Sequence, residues 1–340
     1  MPASTNMSML PPEQIMKLPR RDFLRLAAGA AVLPAISRGA WAQAYPVRPV
    51  RIVVPTPAGG GADIIARLLG QWLSQRLGQQ FVIDNRPGAG TNIGTEAVAH
   101  AAPDGYSLLW ITLANAVNAS LYAKLNFDFI RDIAPVAGVV QAPFILALHP
   151  SVAAGSVPEL IAYAKANPGK ITMGSAGNGT PAHVAGELFM LLAGVKLLHV
   201  PYRGEAPALA DLLGGQNQML FASVPASLEH IRAGELRALA VTTARRLDVL
   251  PDVPTVAEFV PGYEANGWLG LGAPRGTPAA TIERLNQAVT AGLADPMLTA
   301  RFAELGDTAL PLSSADFGRL IAEETDKWAK VVKFAGLKAE

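Results

Sequence analysis

Two glycine-rich segments contain the residues best suited to binding a small anion. Residues 56–61 and 174–180 each follow a strand-like run and precede a segment with helical spacing of apolar residues. A helix N-terminus presents unpaired N–H groups and a partial positive charge, so it holds an anion without a basic side chain. Glycine lets a ligand approach that backbone closely. We expect both loops to bind one carboxylate-bearing molecule, although either loop alone also fits a plain strand-to-helix connection.

The second loop contains a serine, which raises the alternative of a secreted serine hydrolase. Ser175 would need His183 as its base and a carboxylate to orient that histidine. The stretch 173–177 begins with Met173, so it does not match the G-x-S-x-G motif. We therefore predict no catalytic residue and interpret His183 as a ligand-contacting or helix-surface side chain.

Other patterns that could indicate chemistry are weak. Residues 88–94 lack the lysine and hydroxyl of a P-loop and the spacing of G-x-G-x-x-G, which favours a structural turn. The chain has no cysteine and no H-E-x-x-H pair, so we predict no metal site and no cofactor. Trp268 stands beside Gly267 and Gly270, where it either lines a cleft or packs a hinge.

The order of the elements that carry these loops predicts an α/β fold. Strand-like and helix-like runs alternate from residue 50 to 112, which indicates a mainly parallel sheet flanked by helices. The same alternation recurs after Pro150, so a second α/β lobe is inserted into the first. We predict lobe 1 at 43–146 and 245–340 and lobe 2 at 147–244, with hinges near 142–148 and 242–250. Closure about a hinge is a common use of two lobes.

Composition excludes several classes of protein. The 340 residues are 50% hydrophobic and 16% charged, as in a globular protein. The net charge is +1, so no overall positive field attracts nucleic acid, and we predict no nucleic-acid partner.

The N-terminus has the features of an export signal. Arg20 and Arg21 precede a short apolar run at 27–36, and small residues at 40–42 form an A-x-A cleavage site. The paired arginines are similar to a twin-arginine signal. A membrane anchor is the alternative, but Pro34 and Arg38 interrupt the run well before the ~20 apolar residues that span a bilayer. We predict a signal peptide at 1–42, cleavage after Ala42 and a periplasmic protein.

A succession of motifs identifies the chain as similar to a known family. Residues 45–55, 59–67, 85–94 and 102–106 read YPVRPVRIVVP, GGGADIIAR, NRPGAGTNIG and APDGY, and residues 174–180, 199–204 and 250–255 read GSAGNGT, HVPYRG and LPDVPT. In this order they resemble the Bug (TctC) family, the extracytoplasmic receptors of tripartite tricarboxylate transporters. The resemblance implies a two-lobed periplasmic-binding-protein fold, of the Venus flytrap type and type II-like, with the ligand cleft between the lobes.

The resemblance also implies how ligand is held, mostly by backbone groups and ordered water. The ligand-binding residues predicted on this basis are Thr56, Gly59, Gly60, Ser175, Gly177, Asn178, Thr180, His183, Tyr202, Arg203 and Ser223. Arg203 stands where relatives often have lysine, and its planar fork suits a carboxylate. A solvated surface arginine is the alternative.

One departure from the family bears on the ligand. Relatives often have aspartate where this chain has Ala222, and an acid there could hold an ammonium group. Its absence argues against an amino acid and favours a plain mono- or dicarboxylate, aromatic acids included. The expected partners are this organic acid and the membrane subunits of a tripartite tricarboxylate transporter, with the receptor a monomer. A role beside a sensor kinase is the alternative.

Overall fold

The computed structural model describes residues 45–122 and 124–338, so the predicted signal peptide at 1–42 lies outside the described residues. Two sheets organise this part of the chain. The first contains β1 (Val50–Val54), β2 (Phe81–Asn85), β3 (Ser107–Thr112), β4 (Ile133–Ala142), β10 (Gly267–Pro274) and β11 (Thr308–Ala309). The second contains β5 (Phe144–Leu148), β6 (Thr172–Ser175), β7 (Leu198–Pro201), β8 (Met219–Ser223) and β9 (Arg237–Val241).

Helices flank both sheets. Those that follow first-sheet strands are α1 (Gly61–Leu77), α2 (Asn92–Ala99), α3 (Leu113–Leu121), α4 (Phe129–Asp132), α9 (Ala279–Leu293), α10 (Pro296–Glu304) and α11 (Ser314–Ala335). Those associated with the second sheet are α5 (Val157–Ala166), α6 (Pro181–Ala193), α7 (Glu205–Leu213) and α8 (Val224–Arg232). Among the residues described, no helix combines the length and apolar character needed to cross a bilayer.

Both sheets are mixed, which corrects the expectation of mainly parallel sheets. In the order β11-β4-β10-β3-β1-β2, only β2, β1 and β3 are joined by parallel pairing, and β10 runs antiparallel to β3 and β4. In the order β7-β6-β8-β5-β9, β5 is antiparallel to both neighbours. Short strand–helix–strand units force parallel pairing, whereas strands that arrive from the other lobe are free to enter in either direction.

The chain crosses between the sheets at two adjacent places. Pro143 separates β4 from β5, and the return reaches β10 at Gly267, which lies opposite Ala142. Thr242 links the two crossings: Phe144 N donates to Thr242 Oγ1 and Thr242 N donates to Phe144 O, both at 2.9 Å, and Ala265 N donates to Thr242 O at 3.5 Å. The ends of β4 and β5 place the first crossing at residue 143.

The second crossing lies later in the chain than the predicted hinge near 242–250. Val241 N donates to Pro254 O at 2.8 Å, and Tyr263 Oη donates to Ala185 O at 3.1 Å. Val249, Leu250 and Val253 pack against the core of the second sheet. The segment up to residue 263 therefore packs on the second lobe, and the return occurs at residues 265–267.

Local sequence explains where the key helices begin and end. Helix α1 buries Ile65, Leu69 and Leu73 at helical spacing against strands of the first sheet, and burial of each such side chain contributes roughly 1.5–3 kcal/mol. It ends at Gly78, whose φ of 71° is costly for other residues. Helix α6 begins with Pro181, which suits the first turn because its missing N–H would have no helical partner.

Candidate functional site

A cavity of about 510 Å³ lies between the two lobes at the ends of the central strands. Its walls are largely apolar and come from both lobes, with Pro55, Leu113 and Leu269 from the first and Phe144 and Phe221 from the second. Ligand sites in proteins are typically concave, mostly apolar and of roughly 300–1,000 Å³. The size and position of the cavity are therefore those of a site for a small molecule.

Four helices begin at the wall of this cavity. The residues that precede α1, α6, α7 and α8 are Gly60, Thr180, Gly204 and Ser223, and all four line the cavity. None of the four caps its helix with a side-chain hydrogen bond. First-turn N–H groups have no partner within their own helix, so this wall presents several amides and partial positive charges to whatever fills the cavity.

The loop of the first lobe uses a carboxylate of its own helix. Gly59 N donates to Asp63 Oδ2 at 3.0 Å, and Asn85 Nδ2 donates to Asp63 Oδ1 at 2.9 Å and to Thr56 O at 3.0 Å. Burial alone would raise the pKa of Asp63, but hydrogen bonds from Arg67, Gly59 and Asn85 hold it below its ordinary value. Asp63 is therefore an ionised brace that fixes the shape of the loop.

A second carboxylate reaches the same loop from the other lobe. Glu205, the first residue of α7, accepts from Gly61 N through Oε2 at 2.9 Å and from Ser223 N through Oε1 at 2.6 Å. One side chain thus joins the N-termini of α1 and α8 across the lobes. Charge-assisted hydrogen bonds of this kind are roughly twice as strong as neutral ones.

The loop of the second lobe is held by neutral groups instead. Ser175 Oγ lies 2.6 Å from His199 Nε2 and also accepts from Gly177 N at 3.2 Å. Gly179 N donates to His183 Nδ1 at 3.1 Å, which places the ring proton on Nε2, facing Glu187 Oε1 at 3.3 Å. Burial, with a further contribution from His183, lowers the pKa of His199 to about 3, so its ring is neutral near pH 7.

The serine and histidines of this loop do not form a nucleophilic site. Ser175 is fully buried, is absent from the cavity wall and pairs with His199 rather than with His183. The two imidazole rings stack with centroids 3.8 Å apart. The hydrogen bonds of the cluster end on loop amides, so its role is to hold residues 175–180 in place.

The structure brings most of the predicted ligand-binding residues to the cavity. Those on its wall are Thr56, Gly60, Gly177, Thr180, Tyr202, Arg203 and Ser223. Gly59, Ser175, Asn178 and His183 do not line it; Gly59, Ser175 and His183 make hydrogen bonds that hold the loops. Tyr202 Oη donates to Asp211 Oδ2 at 2.8 Å, and Arg203 is exposed at the rim.

Several wall residues were not predicted from the sequence as ligand-binding. Glu205 and Asp307 both line the cavity, as do Gly88, Gly90 and Thr91 of the segment interpreted above as a structural turn. Thr91 has a φ of 89°, a strained value for a residue with a side chain, and such strain is often found at binding sites. Trp268, for which the sequence left two interpretations open, also lines the cavity.

Five buried polar atoms on the cavity wall have no hydrogen-bond partner in the protein. They are Thr56 Oγ1, Ser223 Oγ, Trp268 Nε1 and both carboxyl oxygens of Asp307. An unsatisfied buried polar group costs roughly 1–3 kcal/mol. Because these atoms all belong to residues of the cavity wall, we expect polar groups of a ligand or of water to form the missing hydrogen bonds.

Ala222, from which the sequence argued against an amino acid, is not on the wall. Its side chain is fully buried in the core of the second lobe with Ile145 and Ala208. Within the described residues, no three His, Asp or Glu side chains are grouped so as to hold a metal ion.

Comparison with known proteins agrees with this geometry. The family model described as "Tripartite tricarboxylate transporter family receptor" matches residues 65–337. Protein BugT of Bordetella pertussis is 39% identical over 300 residues, which cover 87% of this chain and 92% of BugT.

Two solved structures share both the fold and the sequence pattern. R. palustris Rpa4515, solved with adipate, superposes with a TM-score of 0.84 at 39% identity over 86% of this chain and 99% of that one. MatC from Rhodopseudomonas palustris, solved with malate, gives 0.80 at 32% identity over 85% and 100%. The chain therefore belongs to the family of tripartite tricarboxylate transporter receptors, and it is a solute-binding protein, not an enzyme.

Proposed function

We propose that this protein captures a small organic carboxylate in the periplasm by closing its two lobes and delivers it to the membrane subunits of a tripartite tricarboxylate transporter. The observation that carries the proposal is the cavity of about 510 Å³, whose wall contains the start of four helices and five unpartnered buried polar atoms. Both lobes supply these groups, so a bound molecule would be gripped from two sides.

The geometry favours the start of α6 as the main carboxylate site. Ala182 lies on the cavity wall in the first turn of α6, and Thr180 caps that helix without a side-chain hydrogen bond to it. The amides of Ala182 and His183 then have no partner within the helix. Gly177, Tyr202 and Arg203 of the second lobe also line the cavity, as do Thr56, Gly60 and Ser223.

The known ligands of relatives fit this chemistry. Rpa4515 was solved with adipate and MatC with malate, and both ligands are carboxylates. Membership of a transporter-receptor family supports delivery to a membrane partner. The charged and apolar pattern of residues 20–42 supports export with cleavage after Ala42. Mass spectrometry of the periplasmic protein should then find Gln43 as the first residue.

A thermal-shift screen of small organic acids on the mature protein tests capture. A ligand that binds only the native state raises stability by RT ln(1 + [L]/Kd), about 2.7 kcal/mol at 100 times Kd. We expect a concentration-dependent rise for at least one carboxylate. Absence of any response across mono- and dicarboxylates would contradict the proposal.

The substitution Thr180→Asp should abolish binding without preventing folding. Aspartate is a favourable helix N-cap, so it would satisfy the first-turn amides of α6 and place a negative charge where the ligand carboxylate binds. We expect at least a 100-fold rise in Kd by calorimetry, about 2.7 kcal/mol. Thr290→Asp, on an exposed face of α9, introduces the same charge outside the cavity and should leave Kd unchanged. Equal affinity in both variants would contradict the assignment of the site.

Delivery requires its own test. In cells that contain the two membrane subunits, uptake of the labelled ligand should depend on this receptor and should be lost with Thr180→Asp. Uptake that persists without the receptor, with loss of a transcriptional response instead, would favour the sensor-kinase role.

A further inference from the structure

Asp307 is a buried carboxyl group that the fold leaves without a partner. Its side chain is 3% exposed, both carboxyl oxygens lack hydrogen bonds, and it lines the ligand cavity. The backbone holds it there firmly: Asp307 N donates to Phe302 O at 2.9 Å, and Gly306 packs so closely on Val224 that a Cβ would lie 2.5 Å from Val224 Cγ1. Asp307 therefore has a fixed position at the cavity wall, and its carboxyl group has no partner within the protein.

Glu205 makes this end of the cavity acidic. It lies on the same wall, with its carboxylate held by Gly61 N and Ser223 N, and it is close enough to Asp307 to perturb that residue electrostatically. Burial first, and then the charge of Glu205, raise the pKa of Asp307 well above its ordinary value. A cation beside Asp307 would lower the free-energy cost of ionising its carboxyl group.

No basic side chain of the described wall pairs with either acid. Arg203 is the one basic residue among the wall positions, and it is exposed and makes no salt bridge with Glu205 or Asp307. The other polar atoms at this end are Ser223 Oγ and Trp268 Nε1, both neutral and unpartnered. A positively charged hydrogen-bond donor here would favour the ionised form of Asp307 and would then meet three acceptor atoms: two on Asp307 and one on Ser223.

The part of the wall at the start of α6 has the complementary character. Gly177, Thr180 and Ala182 at the start of α6 present amides, and the groups that hold this loop are the neutral Ser175, His183 and His199. A molecule with a carboxylate at one end and an ammonium group at the other would match both parts of the wall at once.

We infer that the ligand is an amino-carboxylate, whose ammonium group binds Asp307 with support from Glu205 while its carboxylate binds the start of α6. This inference rests on the proposed function, because it names the ligand class of the same cavity. It departs from the plain mono- or dicarboxylate expected from Ala222, since that side chain lies in the core and the acids of the cavity come from elsewhere in the chain.

Calorimetry with a matched set of acids tests the inference. Adipate, hexanoate and 5-aminopentanoate share four methylene groups and end in a carboxylate, a methyl and an ammonium group; norleucine carries its ammonium beside the carboxylate. We expect at least one of the two amino acids to bind at least tenfold more tightly than hexanoate and adipate. A preference for adipate or hexanoate over both amino acids would overturn the inference and leave the proposed function intact. Failure of every acid in the set and in the wider screen would overturn both.

Variants identify the group responsible. Asp307→Asn keeps the size of the side chain and should reduce the preference for the amino acid over hexanoate to less than threefold. Glu205→Gln should weaken the same preference by a smaller factor and provides the test if Asp307→Asn does not fold. Asp326→Asn, on the exposed surface of α11, is the matched control and should keep the full preference. A preference that survives both Asp307→Asn and Glu205→Gln would overturn the assignment.

Discussion

The loops at 56–61 and 174–180 look alike in sequence but are built on opposite electrostatic principles. In the first lobe, two carboxylates take up loop amides: Asp63 binds Gly59 N and Glu205 binds Gly61 N. In the second lobe, the neutral atoms Ser175 Oγ and His183 Nδ1 take up the corresponding N–H groups of Gly177 and Gly179. One loop is thus already supplied with negative charge, and the other is not.

The difference shows that a glycine-rich strand-to-helix loop is not by itself an anion site. The helix dipole makes the N-terminus of α1 attractive to a carboxylate, but the carboxylate bound there is that of Glu205. At α6 the neutral brace leaves the first-turn amides available. The two lobes therefore contribute loops of different electrostatic character to a largely apolar cavity.

The largest expected effect comes from preventing the start of α1 from meeting the start of α8. A Cβ at Gly61 would lie 2.5 Å from Ser223 Oγ and 2.8 Å from Ser223 Cβ of the other lobe, so Gly61→Ala should hold the lobes apart and weaken ligand binding about 100-fold by calorimetry. Gly318→Ala is the control, since a Cβ there meets only Pro135 Cγ at 3.4 Å. Unchanged affinity in Gly61→Ala would mean that the apposition of the loops is not needed for binding.

A smaller effect concerns the acidic end and appears as a dependence of stability on pH. The pKa of Asp307 is raised above its ordinary value of 3.8. The contribution of its protonated carboxyl to the free energy of unfolding is therefore complete below pH 3.8 and is lost as the pH rises towards the folded-state pKa. The slope should approach about −1.4 kcal/mol per pH unit in urea unfolding of the ligand-free protein. Asp307→Asn should remove this slope and Asp326→Asn should keep it. Identical profiles for all three proteins would show that Asp307 ionises freely.

The neutral end should give the opposite and weaker dependence. The pKa of His199 falls from 6.5 to about 3, so stability is lost as the pH decreases from 6.5 towards 3. We expect a slope below about 1.4 kcal/mol per pH unit, because the ring is partly accessible to solvent. His199→Asn should flatten that part of the profile, whereas His100→Asn, on the surface, should not. A profile that stays equally steep in His199→Asn would assign the acid sensitivity to another group.

The sequence predicted the features that depend on nearby residues. The helices that follow residues 61 and 180 and the two-lobed α/β plan follow from local spacing and family motifs. The sequence did not predict that β10 runs antiparallel to β3 and β4, because its direction depends on the path by which the chain returns from the second lobe.

The acidic end of the cavity could not be predicted from the sequence. Gly61 and Glu205 are 144 residues apart, and Asp307 follows a further helix in the last quarter of the chain. No spacing rule connects them, since their proximity is created by the apposition of two lobes. The same holds for His199, which is brought to Ser175 by the parallel pairing of β6 and β7.

The adjacency of the two chain crossings limits the entropy cost of capture. Pro143 and residues 265–267 lie side by side and are linked through Phe144 and Thr242. A single hinge axis can therefore pass through both chain crossings. Fixing a residue costs roughly 1–2 kcal/mol of conformational entropy, and here only the few dihedrals along that line need to be fixed. If the lobes close about this line as proposed, the ordering of the hinge subtracts little from the affinity for the ligand.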